Sequence, residues 1–508
     1  MVAIIHSCEI LGIEAIPVNV EVDISQGLPK FSIVGLPDTI VNEAKERVRV
    51  ALKNSGLKFP MKRIAVNLSP AHLKKLGSRY DLAIAIGILI SSEVIKSKIN
   101  LDDYIFMGEL SLEGNLNHIN GILPQAILAR KLKKTLVIPW SCLHEAEIIK
   151  DVKIIGVKNL IETLDYIKGE EIEIDESYKL KKKEIRKNTS GDFKDILGQQ
   201  FTKRGFEIAA AGFHNILMAG PPGSGKTLMA KSFPSILPEM TEDESIEVTN
   251  IYSITGLLED GQLIRERVFR SPHSSISDIA MVGGTSNLRP GEVTLAHNGV
   301  LFLDELPEFR KSVLEMLRTP LSNGNITISR SNGTMTYPAK FLFIGATNPC
   351  PCGYLGDKSK ECSCNEYQIR KYRNKLSGPI LDRIDLHVEV SRVNIKKLQN
   401  SGKGESSDDI RKRVKKAIGI QQNRFKNISI NFNSQMGIKE IDEFCKISPE
   451  LRNTLNTLCE KMGLSLRAYH KIFKVARTIA DLVTSKNISK EHIYEAVSYR
   501  FLDKNSLY

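Results

Sequence analysis

A glycine-rich run of eight residues constrains this chain more than any other feature: Gly220-Pro-Pro-Gly-Ser-Gly-Lys-Thr227. It satisfies the pattern G-x-x-x-x-G-K-[ST] at every fixed position. The apolar residues 215–219 before it predict a buried strand, and residues 228–232 after it predict the start of a helix. In such a strand–loop–helix unit, backbone N–H groups and the positive end of the helix surround phosphate oxygens. The run therefore predicts a nucleotide site.

We expect the whole loop to contact ATP. Lys226 brings a positive charge to the β- and γ-phosphates, and Thr227 brings a hydroxyl to Mg²⁺. The predicted nucleotide-binding residues of the loop are Gly220, Pro221, Pro222, Gly223, Ser224, Gly225, Lys226 and Thr227.

Two further apolar runs end in polar side chains of the kind that hydrolysis requires. Residues 299–303 are followed by Asp304 and Glu305, and residues 340–347 are followed by Asn348. Ligands of open α/β sheets bind at the carboxyl ends of the strands. We therefore expect Asp304 to help hold Mg²⁺, Glu305 to activate water as a general base, and Asn348 to orient that water.

The length and charge of the chain limit its class and its partners. A chain of 508 residues predicts two to four domains, and its longest uncharged apolar run, residues 82–90, is far shorter than the roughly 20 residues of a membrane span. With charged residues near the start instead of a signal sequence, we expect a cytoplasmic protein with no membrane partner. The formal charge is +12, and residues 401–508 hold 20 Lys and Arg against 12 Asp and Glu. This balance fits either a polyanion partner or a solvated surface.

Four of the eight cysteines are clustered, as Cys350-Pro-Cys352 and Cys362-Ser-Cys364. Disulfides are rare in the cytosol, whereas four thiolates complete a tetrahedral Zn²⁺ site. We expect these four residues to bind zinc, although the spacing is tighter than the usual C-x₂-C pair. Reduced cysteines without a metal are the alternative.

Changes of composition divide the chain. Residues 1–168 alternate β-rich and helical patterns, and the strongly charged residues 169–192 read as a linker. Residues 193–393 have apolar strands followed by glycine-rich turns, which is typical of an α/β domain. After a polar gap at 400–407, residues 408–505 show only helical periodicity.

The order of these segments resembles an AAA+ ATPase: phosphate loop, Asp-Glu strand, Thr-Asn strand and then Leu381-Asp-Arg383. Residues 269–278, 289–309 and 384–387 resemble the magnesium-chelatase-like group of these enzymes. Over about residues 2–503, the chain resembles the YifB/ComM family within that group.

This resemblance implies roles for further residues. Arg383 resembles the arginine finger that reaches the ATP of a neighbouring subunit, Arg467 the sensor-2 arginine of a C-terminal helical lid, and Asn348 sensor 1. A finger that acts on a neighbour requires a ring, and the family implies a homohexamer.

Residues 20–140 resemble the α+β fold shared by Lon-type proteases and the second domain of ribosomal protein S5. The Lon Ser–Lys dyad is missing at the matching positions, because Arg79 stands where the serine would be and Leu123 where the lysine would be. Ser78 is adjacent. We therefore expect an N-terminal domain with a binding or assembly role.

Two insertions are candidates for contact with DNA. Asn-Gly at 332–333, between alternating runs at 325–330 and 334–337, predicts a β-hairpin. A second hairpin-like insertion at about 254–289 carries a set of cationic residues: Arg265, Arg267, Arg270, His273 and Arg289. A purely structural role in the ring is the alternative for each residue.

Three functions follow from these features. The first is a DNA translocase or branch-migration helicase of recombination or natural transformation, as the resemblance implies. The second is the motor subunit of a magnesium-chelatase-type complex. The third, a Lon-like protease, is disfavoured by the missing dyad.

Overall fold

The structure is a computed structural model, and it describes residues 2–171, 191–258, 261–284, 288–330, 333–357, 360–392 and 404–503. Most of the predicted linker, residues 172–190, lies outside these residues. The chain divides into two compact units. The first comprises Met1–Arg186 with Glu242–Ile264, and the second comprises Lys187–Thr241 with Arg265–Tyr508.

The first unit is an α+β structure. Its strands, numbered in chain order, are β1 (Ala3–Leu11), β2 (Glu14–Ser25), β3 (Lys30–Val34), β4 (Arg63–Ser69), β5 (Tyr104–Phe106), β6 (Glu109–Leu110), β7 (Leu116–Asn117), β8 (Thr135–Pro139) and β9 (Ile154–Val157). Its helices are Thr39–Asn54, Asp81–Ser91, Ile122–Leu132, Leu143–Ala146, Leu160–Ile167 and Glu242–Thr255.

The main sheet of this unit has the order β1-β2-β4-β3. The helix Thr39–Asn54 begins where the Asp38 carboxylate accepts a hydrogen bond from the Val41 N–H at 2.7 Å, an N-cap that satisfies a free donor of the first turn. The uncharged apolar run of the sequence forms the helix Asp81–Ser91, which is buried along almost its whole length. The run is therefore a core helix, and no helix of the described residues is long and apolar enough to cross a membrane.

The helix Glu242–Thr255 was not expected in this unit, because the sequence places it inside the ATPase domain. Two contacts tie it to N-terminal residues. The Asn250 amide donates to the Ile13 carbonyl at 2.8 Å, and the Lys150 ammonium lies 3.0 Å from the Glu242 carboxylate.

The second unit is built on a parallel sheet of five strands. Its strands are β10 (Ile216–Ala219), β11 (Phe269–Arg270), β12 (Val300–Leu303), β13 (Asn325–Arg330), β14 (Gly333–Pro338), β15 (Leu342–Thr347) and β16 (Leu386–Glu389). The sheet order is β11-β12-β15-β10-β16, and every neighbouring pair is parallel. Strands β10, β12 and β15 are buried at every residue, as expected of a sheet covered on both faces.

Helices cover this sheet and complete the unit. Those of the α/β part are Gln200–Gly212, Lys226–Ser232, Asp278–Val282, Glu292–Leu295, Lys311–Met316, Arg318–Asn323, Glu366–Arg373 and Gly378–Leu381. The C-terminal residues form Ser407–Arg424, Ile438–Phe444, Pro449–Met462, Leu466–Leu482 and Lys490–Ser498. Residues 404–503 are thus helical, as their periodicity predicts. Their apolar side chains share one core with the sheet.

One of the two expected hairpins forms. Strands β13 and β14 pair antiparallel from Asn325 with Pro338 to Arg330 with Gly333, while the turn residues Ser331 and Asn332 lie outside the described residues. The prediction of a hairpin at about 254–289 is wrong. There the described residues form β11, which pairs parallel with β12 in the main sheet, and the helix Asp278–Val282.

Candidate nucleotide site

The three polar segments predicted to act together follow strands that are neighbours in the sheet. Strand β15 lies between β10, which precedes the glycine-rich loop, and β12, which precedes Asp304. The carboxyl ends of parallel strands meet at one edge of a sheet. Asn348 therefore lies between the loop on one side and the carboxylates on the other.

The backbone of the loop requires glycine at particular positions. Gly223 and Gly225 have φ angles of +74° and +92°, a region that residues with a side chain rarely adopt. A Cβ on Gly220 would lie 2.1 Å from the carbonyl oxygen of Val390, the residue after strand β16. The loop thus turns sharply and directs its backbone into the helix Lys226–Ser232.

The Lys226 side chain is folded back over its own loop. Its ammonium donates to the carbonyls of Gly220 at 2.7 Å and Pro221 at 2.9 Å, and to the Asn348 side-chain oxygen at 3.2 Å. Burial lowers the pKa of Lys226, while Asp304 and Glu305 oppose that shift. The contact with Asn348 joins two residues whose cooperation the sequence predicts.

Thr227 and Asp304 are in direct contact. The Thr227 hydroxyl donates to the Asp304 carboxylate at 2.6 Å, across 77 residues of sequence. A hydroxyl and a carboxylate are hard oxygen ligands, the type that Mg²⁺ prefers. This pair therefore fits a magnesium ion.

Glu305 stands at the sharp turn after β12. It is exposed, its φ angle is +50°, and its N–H donates to the Asp304 carboxylate at 2.9 Å. A residue other than glycine with a positive φ is held in a sparsely populated conformation, and such residues cluster at functional sites. The turn directs the Glu305 side chain to solvent, where it is available to a water molecule.

Arg383, the predicted arginine finger, and Arg467, the predicted sensor-2 arginine, lie close to each other. The Arg383 guanidinium donates to the Arg318 carbonyl at 2.9 Å, the Ser322 hydroxyl at 2.7 Å and the Pro379 carbonyl at 2.7 Å. Arg467, at the start of the helix Leu466–Leu482, lies 3.4 Å from the Asp382 carboxylate and is 70% exposed.

Charges of both signs surround Arg383. Partial burial, and then the charges of Arg318 and Arg467, lower the pKa of its guanidinium. Three positive side chains thus lie close together, while Glu315 contacts Arg318 at 2.5 Å and Asp382 contacts Arg467 at 3.4 Å. Such a cluster favours an anionic ligand.

The four clustered cysteines come together as free thiols. Their sulfur atoms all lie within 4.8 Å of one another, and among the described residues no other group of three or more His, Cys, Asp or Glu ligand atoms lies so close together.

The N-terminal residues do not assemble a serine–lysine pair at the positions that match Lon-type proteases. The Ser78 hydroxyl donates to the Glu109 carboxylate, Arg79 faces Glu9 at 4.0 Å, and Leu123 is fully buried.

Of the cationic residues expected to contact DNA, some are held by contacts within the fold and others are exposed. The Arg267 side chain is buried and donates to the Pro238 carbonyl at 2.9 Å and the Asn298 carbonyl at 2.7 Å. Arg270 forms a two-point ion pair with Glu292 at 2.7 and 2.6 Å. These two residues are structural. The exposed members of the set are Arg265, His273 and Arg289.

Sequence reasoning missed one neighbour of the loop. The Arg392 guanidinium donates to the Pro222 carbonyl at 3.2 Å and lies 3.5 Å from the Asp357 carboxylate. No local pattern marks Arg392, since it stands 170 residues from the proline that it contacts.

Three family models match this chain, and all describe one subunit of magnesium chelatase. "Magnesium chelatase, subunit ChlI" matches residues 192–398, "Subunit ChlI of Mg-chelatase" matches residues 20–141, and "Magnesium chelatase, subunit ChlI C-terminal" matches residues 404–500. Together they span both units of the structure.

Relatives that align from end to end are more specific. Competence protein ComM of Haemophilus influenzae is 43% identical over 504 residues, which cover 98% of this chain and 97% of that protein. Protein YifB of Escherichia coli is 40% identical over 508 residues, covering 99% of this chain and 97% of that protein. The magnesium-chelatase 38 kDa subunit of Rhodobacter capsulatus is 23% identical over 175 residues, which cover 31% of this chain and 50% of that subunit. Because the first two similarities extend over nearly the whole length, the chain belongs to the YifB/ComM family of magnesium-chelatase-like AAA+ ATPases.

Proposed function

We propose that this protein is a ring-forming motor that hydrolyses ATP between subunits and uses the energy to move along DNA. The observation that carries the ATPase part is the convergence of Lys226, Thr227, Asp304 and Asn348 at one edge of the sheet. Family membership supports ATP and Mg²⁺ as the ligands of this edge.

Each side chain of the site has a separate task in this proposal. Lys226 leaves the carbonyls of Gly220 and Pro221 and donates to the terminal phosphates, where its charge is worth most in a low-dielectric environment. Asn348, released from Lys226, orients the attacking water, and Glu305 accepts its proton. Thr227 and Asp304 would hold Mg²⁺, which would supply positive charge to neutralise the phosphates.

The arginine cluster supports a site shared between subunits. Arg383 contacts residues 318, 322 and 379 of its own chain, and Arg318 and Arg467 add positive charge beside it. In this proposal, Arg383 stabilises the ATP of the next subunit, because a guanidinium stays charged and bridges phosphate oxygens. The repeated contact closes into a ring, for which the family implies six subunits.

The DNA part rests on charge, on one hairpin and on one relative. Residues 401–508 carry a net charge of +8 out of the total of +12. The hairpin β13–β14 exposes Arg330, and Arg265 and Arg289 are also exposed. Basic side chains bind the phosphate backbone without regard to sequence. The relative that is 43% identical is named a competence protein. We extend the proposed movement along DNA to branch migration of recombining DNA.

The test of this proposal is the ATPase rate with single-stranded, duplex and four-way-junction DNA over a range of salt concentrations. We expect stimulation by DNA that declines as salt rises, and strand displacement on at least one substrate. The double variant Arg265→Ala/Arg289→Ala should reduce the salt slope of DNA binding by about two, with the exposed Arg49→Ala as control. An ATPase rate indifferent to every nucleic acid, in a verified ring, would refute the DNA part.

A second candidate function is the motor of a metal-insertion complex. It is favoured by the chelatase models that match three parts of the chain. The two functions differ in their partners. A chelatase motor should co-elute with a large second subunit and support magnesium insertion into a porphyrin, whereas a DNA motor should do neither.

A further inference from the structure

The four clustered cysteines have the geometry of a metal site. Cys350 Sγ lies 3.3 Å from Cys352 Sγ and 3.6 Å from Cys362 Sγ, and the last two are 3.5 Å apart. In a tetrahedral zinc site with Zn–S bonds of about 2.3 Å, neighbouring sulfurs are separated by about 3.8 Å. The sulfurs thus surround a point at which one ion fits after a small expansion.

A backbone N–H group also donates a hydrogen bond within this cluster. The Cys352 N–H donates to Cys364 Sγ at 3.4 Å, a contact that stabilises a thiolate. Four thiolates are soft ligands, which select zinc over magnesium or calcium.

The loop that carries these ligands is packed against the phosphate loop. A Cβ on Gly353, one residue after Cys352, would lie 2.6 Å from Pro222 Cδ and 3.8 Å from the Asn348 side chain. Gly353 itself has a φ of +84°. The cysteine loop therefore approaches Pro222 of the phosphate loop so closely that a side chain at position 353 would displace it, and it lies at ordinary van der Waals distance from Asn348.

The two ends of the cysteine loop are fixed near the same place. Asn348 stands two residues before Cys350, and the Arg373 guanidinium donates to the intervening Pro349 carbonyl at 3.2 Å. At the other end, Asn365 follows Cys364 and caps the helix Glu366–Arg373, which carries Arg373.

We propose that Cys350, Cys352, Cys362 and Cys364 bind one zinc ion, and that the loop closed by this metal holds Pro222 and Asn348 in position for ATP. The metal is structural and does not enter the reaction. Without it, the ends of the loop separate, Gly353 leaves Pro222, and the nucleotide site loses a wall. The metal site stands on its own geometry, whereas its effect on ATP rests on the proposed function.

The first experiment measures the metal. The full-length protein is stripped with a chelator under reducing conditions and reloaded with Zn²⁺ or Co²⁺. We expect one equivalent of zinc, and with cobalt the intense visible bands of tetrahedral thiolate coordination. Cys350→Ser/Cys362→Ser should lose both, and Cys459→Ser, at a buried cysteine of the helix Pro449–Met462, should keep both. Binding of less than a tenth of an equivalent, or equal binding by the double serine variant, would overturn the site.

The second experiment measures the coupling through affinity for a fluorescent ATP analogue. Stripping zinc from the wild type should weaken binding roughly tenfold or more, since small displacements of positioning groups have large effects, and zinc should restore it. This reversible comparison avoids any variant that fails to fold.

A pair of glycine variants separates the coupling from the metal. Gly353→Ala should keep one zinc but bind the analogue roughly tenfold more weakly, because its methyl group displaces Pro222. Gly356→Ala is the control, since Gly356 also has a positive φ, +79°, but has open space around its Cβ position. Equal affinity of the two variants would overturn the coupling and leave the metal site intact. A wild type that binds zinc but no nucleotide in any state would instead refute the proposed function.

Discussion

The Lys471 ammonium lies 2.9 Å from the Asp385 carboxylate, and this contact joins the helix Leu466–Leu482, which carries Arg467, to the segment that contains Arg383. Lys471 follows Arg467 by four residues, about one helical turn, and Asp385 follows Arg383 by two. The other oxygen of Asp385 accepts from the Asn215 N–H at 3.1 Å, directly before strand β10. One buried carboxylate thus connects the phosphate-loop strand with the segments that carry the predicted arginine finger, Arg383, and the predicted sensor-2 arginine, Arg467.

This connection predicts the effect of Asp385→Asn. The substitution leaves the Lys471 charge in a buried site without its partner, so we expect a loss of about 3–5 kcal/mol in the free energy of unfolding. Denaturant unfolding of the nucleotide-free protein measures this loss. Asp382→Asn is the matched control, because Asp382 is more exposed and its contact with Arg467 is longer, at 3.4 Å. A loss for Asp385→Asn no larger than that of the control would contradict the structural role.

The same carboxylate predicts a pH dependence. Burial alone would raise the pKa of Asp385, but the Lys471 ammonium and His214 more than compensate and hold it below its ordinary value. A carboxyl with a lowered folded pKa contributes stability above its unfolded pKa of about 3.9, and this stability is lost as the pH falls through the folded pKa. The difference in melting temperature between wild type and Asp385→Asn should therefore narrow below about pH 4. A constant difference from pH 6 to pH 3 would contradict this assignment.

Lys226→Ala should abolish the main charge contact to the nucleotide. The Lys226 ammonium donates hydrogen bonds to three oxygens of the site. Removal of this side chain takes away a preformed positive charge, so we expect the affinity for ATP to fall by roughly thirtyfold or more. Equilibrium binding of a fluorescent ATP analogue measures the change. Lys231→Ala is the control, because Lys231 is exposed on the same helix. Equal affinities for these two variants would mean that the loop does not bind phosphate through Lys226.

Glu305→Gln should separate binding from hydrolysis. The glutamine keeps the shape of the side chain but cannot accept a proton, so we expect unchanged ATP affinity and a hydrolysis rate lower by roughly 10²- to 10⁴-fold. Glu308→Gln is a suitable control, because Glu308 is engaged with Lys375 at 3.1 Å. Normal hydrolysis by Glu305→Gln would assign the general base elsewhere.

Local patterns in the sequence predicted the parts of the site that are contiguous. The loop at 220–227, strands β10, β12 and β15 and the hairpin β13–β14 each depend on alternation, apolar runs or glycine over a few residues. The rule that ligands bind at the carboxyl ends of parallel strands then predicted that the polar side chains after these strands lie at the nucleotide.

These local patterns could not predict contacts between segments that are far apart in the sequence. Arg267 and Arg270 read as candidates for contact with DNA, but in the fold two carbonyls accept hydrogen bonds from Arg267 and Glu292 pairs with Arg270. Nothing in the periodicity of the helix Glu242–Thr255 shows which core it joins. The contact of Gly353 with Pro222 spans more than 100 residues, and only the folding of the chain brings the two together.

The shared site between subunits predicts that two inactive variants restore each other. Lys226→Ala disables the loop but keeps Arg383, and Arg383→Ala disables the finger but keeps the loop. In an equal mixture, about one quarter of the interfaces join an intact loop to an intact arginine from the neighbour, because a head-to-tail contact takes one side from each subunit. We expect ATPase activity to reappear on mixing and to vary with the ratio of the variants. The double variant Lys226→Ala/Arg383→Ala, mixed with wild type, gives the baseline for dilution alone. If the mixture stays as inactive as its components while mixed rings are demonstrated by subunit exchange, Arg383 acts within its own chain or not at all.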